Sequence, residues 1–274
     1  MRSSPRRVCP GETPGNGPPG ALVLLLFVDL DPELAALRPL GGFFPLRAAE
    51  TPPRPLPTLA EVYAGRPRDV QSDPLDFRVR KAAAALRAPE PRIAASVAHL
   101  GLAARLWSVA LGCAVLYGRL PALDPRRLHW DPDGSAPDDL WLPEARPSGR
   151  EADAAALADA VLHAHLAPLA AAVRARHRLA PGLLRGNAAS ALAGAARALE
   201  QWARAHGRTE VAARTRALTS GLLADPLLAG TGTLTGTAFR RRSCCLYYRV
   251  PGSGVCGDCC FIRPPRSSPR AASG

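Results

Sequence analysis

Five of the seven cysteines in this 274-residue chain lie between positions 244 and 260, in the run RRRSCCLYYRVPGSGVCGDCC. Cys244, Cys245, Cys256 and Cys259 give the spacing Cys-Cys-x10-Cys-x2-Cys. Four thiolates are the usual ligand set of a two-iron cluster. The two-residue gap between Cys256 and Cys259 lets both sulfurs converge, with Gly257 permitting the tight turn. Pro251-Gly252-Ser253-Gly254 forms the return loop that brings the two pairs together. A zinc site is the nearest alternative, but zinc sites usually use two chelating pairs, and here one pair is adjacent. Neighbouring side chains in extended backbone point to opposite sides, so Cys244 and Cys245 reach one centre only through a distorted backbone. A redox disulfide would need fewer thiols. Cys260 is a spare thiol or a substitute ligand, while Cys113 and Cys9 have no ligand-type neighbours.

Few other residues invite chemistry. His163 and His165 are two apart, on nearly opposite helix faces, and make poor partners for one metal. His99 and Arg105 sit in an otherwise apolar run with Trp107, where unpaired polar groups are costly. These three and Asn187 are the candidates for a substrate pocket, against the plainer reading of satisfied core residues. No nucleophile triad, phosphate-binding glycine loop, or flavin or nicotinamide fingerprint is present. Electrons for a redox reaction must therefore come from a separate donor.

The elements that must position the cysteines are mainly helical. Alanine is abundant and aromatics make up only 5% of residues, so the core must come from closely packed helices. The pattern predicts helices over residues 78–88, 92–117 (stopped by Gly118), 151–177 (kinked or split by Pro168), 183–205 and 209–224 (with Thr209 as a cap). Residues 124–150 read as a small hairpin or extended cap with strand-like pieces at 128–130 and 140–142. An apolar run at 21–28 reads as a buried strand, and 51–57 (TPPRPLP) as a connection that is neither helix nor central strand. The expected organisation is a disordered tail at 1–20, a mainly helical domain at 21–230, a cluster-binding region at 231–262 and a second tail at 263–274. The fold class is thus mainly α, a helical core with a small β portion and a cysteine-rich C-terminal subdomain.

The formal charge of +12 suggests nucleic acid or membrane as a partner, but Lys81 is the only lysine and the arginines are scattered. No basic stripe is interleaved with aromatics, so nucleic-acid binding is not expected. The segment 93–117 resembles a membrane span, yet a central arginine costs about 2.5–3.5 kcal/mol there. A core helix of a cytoplasmic protein without a transmembrane segment is expected instead, and clustered cysteines in that compartment favour metal over disulfides.

The run FRRRSCCLYYRVPGSGVCGDCC resembles the C-terminal signature of the FhuF-type ferric-siderophore reductases. Residues 97–107 (VAHLGLAARLW) look like that family's central helix, and 183–190 (LLRGNAAS) resemble another family segment, which commonly has tryptophan where this chain has Arg185. The resemblance spans roughly 90–262 and implies a 2Fe–2S cluster on Cys244, Cys245, Cys256 and Cys259. It implies one-electron reduction of a siderophore-bound ferric ion, of hydroxamate type, with electrons from a donor protein such as a ferredoxin. Ferrous ion is held far more weakly by oxygen ligands, so reduction releases the iron. Arg240, Arg241, Arg242 and Arg249 would stabilise the added negative charge, or form an ordinary solvated basic run. The rival functions are a non-catalytic siderophore-binding or iron-sensing protein and a structural four-cysteine zinc protein.

Overall fold

Prolines and short capping side chains decide where the helices begin in the computed structural model, which describes residue 34 and residues 36–48, 51–65 and 73–265. The expected strand at 21–28 and most of both expected tails lie outside the described residues. Helix α1 (Leu59–Ala64) opens on a capping box in which Thr58 and Glu61 exchange side-chain and backbone hydrogen bonds. Helix α2 (Pro74–Leu86) starts earlier than its periodicity suggests. The Asp73 carboxylate caps the amides of Leu75 and Asp76, and Pro74 sits at the first position, where a missing N–H costs nothing. Helix α3 (Pro91–Tyr117) also opens on proline and ends at Gly118 in the left-handed conformation, as expected.

A longer composite helix, α4, follows. It joins Ala154–Leu157, a π-helical stretch Ala158–Leu166 and Ala167–His177. The expected kink at Pro168 is thus absorbed by a widened stretch just before it, which accommodates the ring and the lost hydrogen bond. Its start is Ala154 rather than 151, because Glu151 belongs to a strand and Asp153 caps the Ala156 amide. Helix α5 (Pro181–Ala205) and helix α6 (Thr209–Leu223) complete the helical set. Thr209 is the first helical residue of α6 rather than its cap, and the capping position is Arg208.

The strands are short. β1 (Arg47–Ala48) pairs in parallel with β4 (Leu140–Leu142), which also pairs antiparallel with β3 (His129–Trp130). β2 (Arg119–Pro121) pairs antiparallel with β5 (Pro147–Glu151). A third sheet, absent from the sequence reading, is the hairpin of β6 (Gly232–Thr235) and β7 (Ala238–Arg241).

The core is built around α3, which packs against α2 and α5, while α5 also carries α6 and the hairpin. Leu106, Trp107 and Leu111 are buried, and each such side chain contributes about 1.5–3 kcal/mol. Small alanines are buried all along α5, which packs against α3. Both α3 and the 154–177 helix are long and apolar enough to cross a membrane by composition, yet both bury much of their surface within the fold.

Candidate metal centre

Hairpin β6–β7 lies on α5 and hands the chain to the cysteine segment. The Arg241 amide donates to the Asp258 carbonyl at 3.0 Å, tying the end of β7 to the Cys256–Cys259 turn. Close approach here depends on Gly186 of α5: a Cβ there would lie 2.3 Å from Ser243 Oγ and 3.0 Å from an Arg241 guanidinium nitrogen. The distortion that an adjacent cysteine pair requires falls on Leu246, which has φ 68° and ψ −1°. A leucine in this left-handed region costs about 1–2 kcal/mol. The turn brings the Leu246 amide to 3.2 Å from Cys244 Sγ. A 3-10 turn (Tyr247–Arg249) and the Pro251-Gly252 bend then reverse the chain, and Ser253 Oγ donates to the Tyr247 and Val250 carbonyls at 2.8 Å each. The Cys259 amide closes the second turn on the Cys256 carbonyl at 3.1 Å.

Two of the expected ligands share a pattern: Cys244 Sγ accepts from the Leu246 amide at 3.2 Å and Cys259 Sγ from the Phe261 amide at 3.3 Å, each two residues ahead. Amides aimed at sulfur favour the thiolate over the thiol and tune iron–sulfur centres. Burial pushes the Cys260 thiol up. Cys245 Sγ and Cys256 Sγ are 3.3 Å apart, joining the two pairs, and every described cysteine is a free thiol. The hydrogen bond between the two sulfurs holds Cys245 low, at about 6, and pushes Cys256 up. Burial raises Cys244 to about 11.

The second turn is clamped to α5. Asp258, 8% exposed, accepts from Ser190 Oγ at 2.6 Å through one carboxylate oxygen and from Arg197 at 2.6 Å through the other. The first pair is held from α3, because Ser96 Oγ donates to the Cys245 carbonyl at 2.8 Å. Two cavities border the Cys256–Gly257 turn. One, about 410 Å³, lies between Phe43, Leu100, Ala104, Ala195, Arg197 and Cys256. The other, about 370 Å³, lies between Ser96, Val97, Leu100, Tyr247, Cys245 and Cys256.

The four residues expected to line a substrate pocket line neither of these cavities. Arg105 is 1% exposed and pairs with Asp139 at 2.7 Å while donating to the carbonyls of Phe43 and Pro137. Trp107 donates to the Ala188 carbonyl at 3.1 Å, joining α3 to α5. Asn187 donates to the Ser96 carbonyl at 2.9 Å and so backs the group that holds Cys245. His99 is buried with neither ring nitrogen hydrogen-bonded, and burial, aided by Arg241, pushes it down to about 3. His165 Nε2 donates to the Leu123 carbonyl and its Nδ1 accepts from the Tyr63 hydroxyl, while His163 lies near Asp225, so neither serves the cysteines. Ser96, Ser190, Arg197 and Asp258 were not singled out as site residues from sequence, and only the position of Asp258 between two cysteines hinted at a role.

The family model of the FhuF 2Fe-2S C-terminal domain matches residues 241–261, which contain all four cysteines and both turns. No curated protein matches the chain. The segment is therefore an iron–sulfur domain of the FhuF type, and its cofactor is a 2Fe–2S cluster. The residues present fit that group. Among the described residues no set of three or more His, Cys, Asp or Glu converges closely enough for a single ion, whereas a two-iron cluster spreads four thiolates over two metals. The amides that donate to Cys244 and Cys259, and the 3.3 Å approach of Cys245 to Cys256, suit the same group.

Proposed function

We propose that this protein is a cytoplasmic ferric-siderophore reductase in which Cys244, Cys245, Cys256 and Cys259 hold the 2Fe–2S cluster. The observation that carries the reading is the cavity of about 410 Å³ that opens beside Cys256. A chelate seated there lies against the thiolate side of the centre. When bound, the cluster supplies a one-electron carrier.

The chain's own residues do the rest. Ser190 and Arg197 hold Asp258, and through it the turn that presents Cys256 to the cavity. Leu100 and Phe43 provide an apolar wall that excludes water from the contact. One electron passes to Fe(III), no protein bond is broken, and Fe(II) leaves its oxygen ligands. The electron comes from a donor protein such as a ferredoxin. Exposed Phe261 and Ile262, next to Cys259 and Cys260 and beside Arg240 and Arg263, offer an acidic donor an apolar contact with positive charge around it. A reducing compartment suits a chain whose described cysteines are all free.

Anaerobically purified protein is expected to be red-brown and, with excess reduced ferredoxin as electron donor, to release ferrous ion from a ferric hydroxamate over several turnovers, read by a ferrous-specific chromogenic chelator. A colourless protein carrying stoichiometric zinc would overturn the reading. Release limited to one iron per cluster would instead indicate a sensor or binding protein.

A further inference from the structure

Burial alternates along β7, with Ala238 and Arg240 exposed and Phe239 and Arg241 buried. Of the three consecutive arginines 240–242, only Arg241 points inward, and it is 2% exposed. Its guanidinium has one hydrogen bond, from Nη2 to the Leu183 carbonyl at 3.1 Å, while Nε and Nη1 have none. No carboxylate among the described residues pairs with it. The nearby Asp258 carboxylate is committed to Ser190 and Arg197 at 2.6 Å each. Arg249 is paired differently, with Glu90 at 2.6 Å. A buried cation without a partner is strongly unfavourable, so the fold must supply its negative charge from elsewhere.

Arg241 lies against both cysteine pairs. Its amide donates to the Asp258 carbonyl at 3.0 Å inside the Cys256–Cys259 turn, and its guanidinium crowds Gly186 together with Ser243, the residue before Cys244. A 2Fe–2S cluster with four cysteines carries about −2 when oxidised and about −3 after one electron. We propose that Arg241 is the counter-charge built into the protein for this cluster, and that it raises the cluster's reduction potential by favouring the more negative state. The inference rests on the cluster-binding reading above. It separates Arg241 from the surrounding arginines, which are exposed or already paired.

Arg241 touches no substrate and acts through the cluster, so the test reads the cluster's potential rather than turnover. Arg241→Gln keeps hydrogen-bonding capacity and removes the charge, Arg241→Lys keeps the charge, and Arg242→Gln removes an exposed charge nearby. Midpoint potentials would be taken by anaerobic redox titration followed by absorption and spin resonance, at about 0.05 M and about 0.5 M salt. Arg241→Gln is expected to disfavour reduction tenfold or more, about 59 mV for one electron, at both salt concentrations. Arg241→Lys should recover most of that shift. Arg242→Gln should move the potential less, and the effect should fade as salt rises.

The proposal is overturned if Arg241→Gln assembles a cluster whose potential moves no more than that of Arg242→Gln. It is also overturned if Arg241→Gln and Arg241→Lys both fail to assemble one, since Arg241 would then be structural. Failure of the cluster-binding reading itself would appear earlier, as a wild-type protein without iron.

Discussion

Arg105 in the helical core and Arg241 beside the cysteines are equally buried, and they are treated in opposite ways. Arg105 meets a carboxylate and two carbonyls, so its charge is balanced by the protein alone. Arg241 has one carbonyl and two unpartnered nitrogens. The core balances the Arg105 charge with its own groups, while the cysteine region leaves the Arg241 charge without a carboxylate. That difference separates a residue that holds the fold together from one that awaits a bound anionic group.

Four experiments would break or sharpen this contrast. The largest effect should come from Cys→Ser at 244, 245, 256 or 259: each should abolish the visible spectrum and cut bound iron to near zero, whereas Cys260→Ser should keep both. Equal loss in Cys260→Ser would draw that thiol into the ligand set. Next, Asp139→Ala should cost about 3–5 kcal/mol in chemical denaturation, because Arg105 would be left buried and unpaired. Arg241→Gln in the metal-free protein should instead leave stability unchanged or raise it.

Acid should affect the core through its histidines. His165 is pushed down to about 4 and His99 to about 3 from an ordinary 6.5, in both cases chiefly by burial. Folded values below unfolded ones mean that the unfolded chain takes up protons first. Stability is then full above pH 6.5 and falls as pH drops toward 4. At about pH 5 each histidine should have cost about 2 kcal/mol, read as a falling thermal midpoint, and His165→Asn should flatten the slope. A flat profile from about pH 7 to about pH 5 would show that neither histidine is buried neutral. The smallest effect is expected from Gly186→Ala. The added Cβ meets the Ser243 hydroxyl, which can rotate away, and the Arg241 guanidinium, so the cost should be about 1–2 kcal/mol with a looser hairpin. Hydrogen exchange at residues 240–246 would detect the loosening.

The helices were largely legible because α3 and α5 advertise themselves by composition and by their ends. Pro91, Gly118 and Pro181 act on the backbone within a residue or two, so local pattern suffices. The Asp73-Pro74 start of α2 and the strand identity of Glu151 were missed because cap geometry and strand pairing outweighed the apolar periodicity. The hairpin β6–β7 was missed for a related reason. Its residues GTLT and AFRR are short and only partly apolar, and α5 supplies the surface that holds them. In the site, the cysteine spacing pointed to an iron–sulfur domain, and the family model matches that segment. The duties of His99, Arg105, Trp107 and Asn187 were not legible, because a polar group in an apolar helix reads the same whether it faces a ligand or a buried partner.

The sequence by itself determined which thiols crowd the C-terminal segment. Thiol chemistry is carried by residue type, and a two-residue gap with glycine brings Cys256 and Cys259 together whatever surrounds them. Only the tertiary structure decided which of three consecutive arginines is turned inward. Strand alternation turns Arg241 inward, and α5 then buries it without giving it a carboxylate. The same packing settled that Asp258 is clamped by Ser190 and Arg197, partners 68 and 61 residues away. Charges are free to pair with any neighbour, and only the folded chain says which neighbour each one meets.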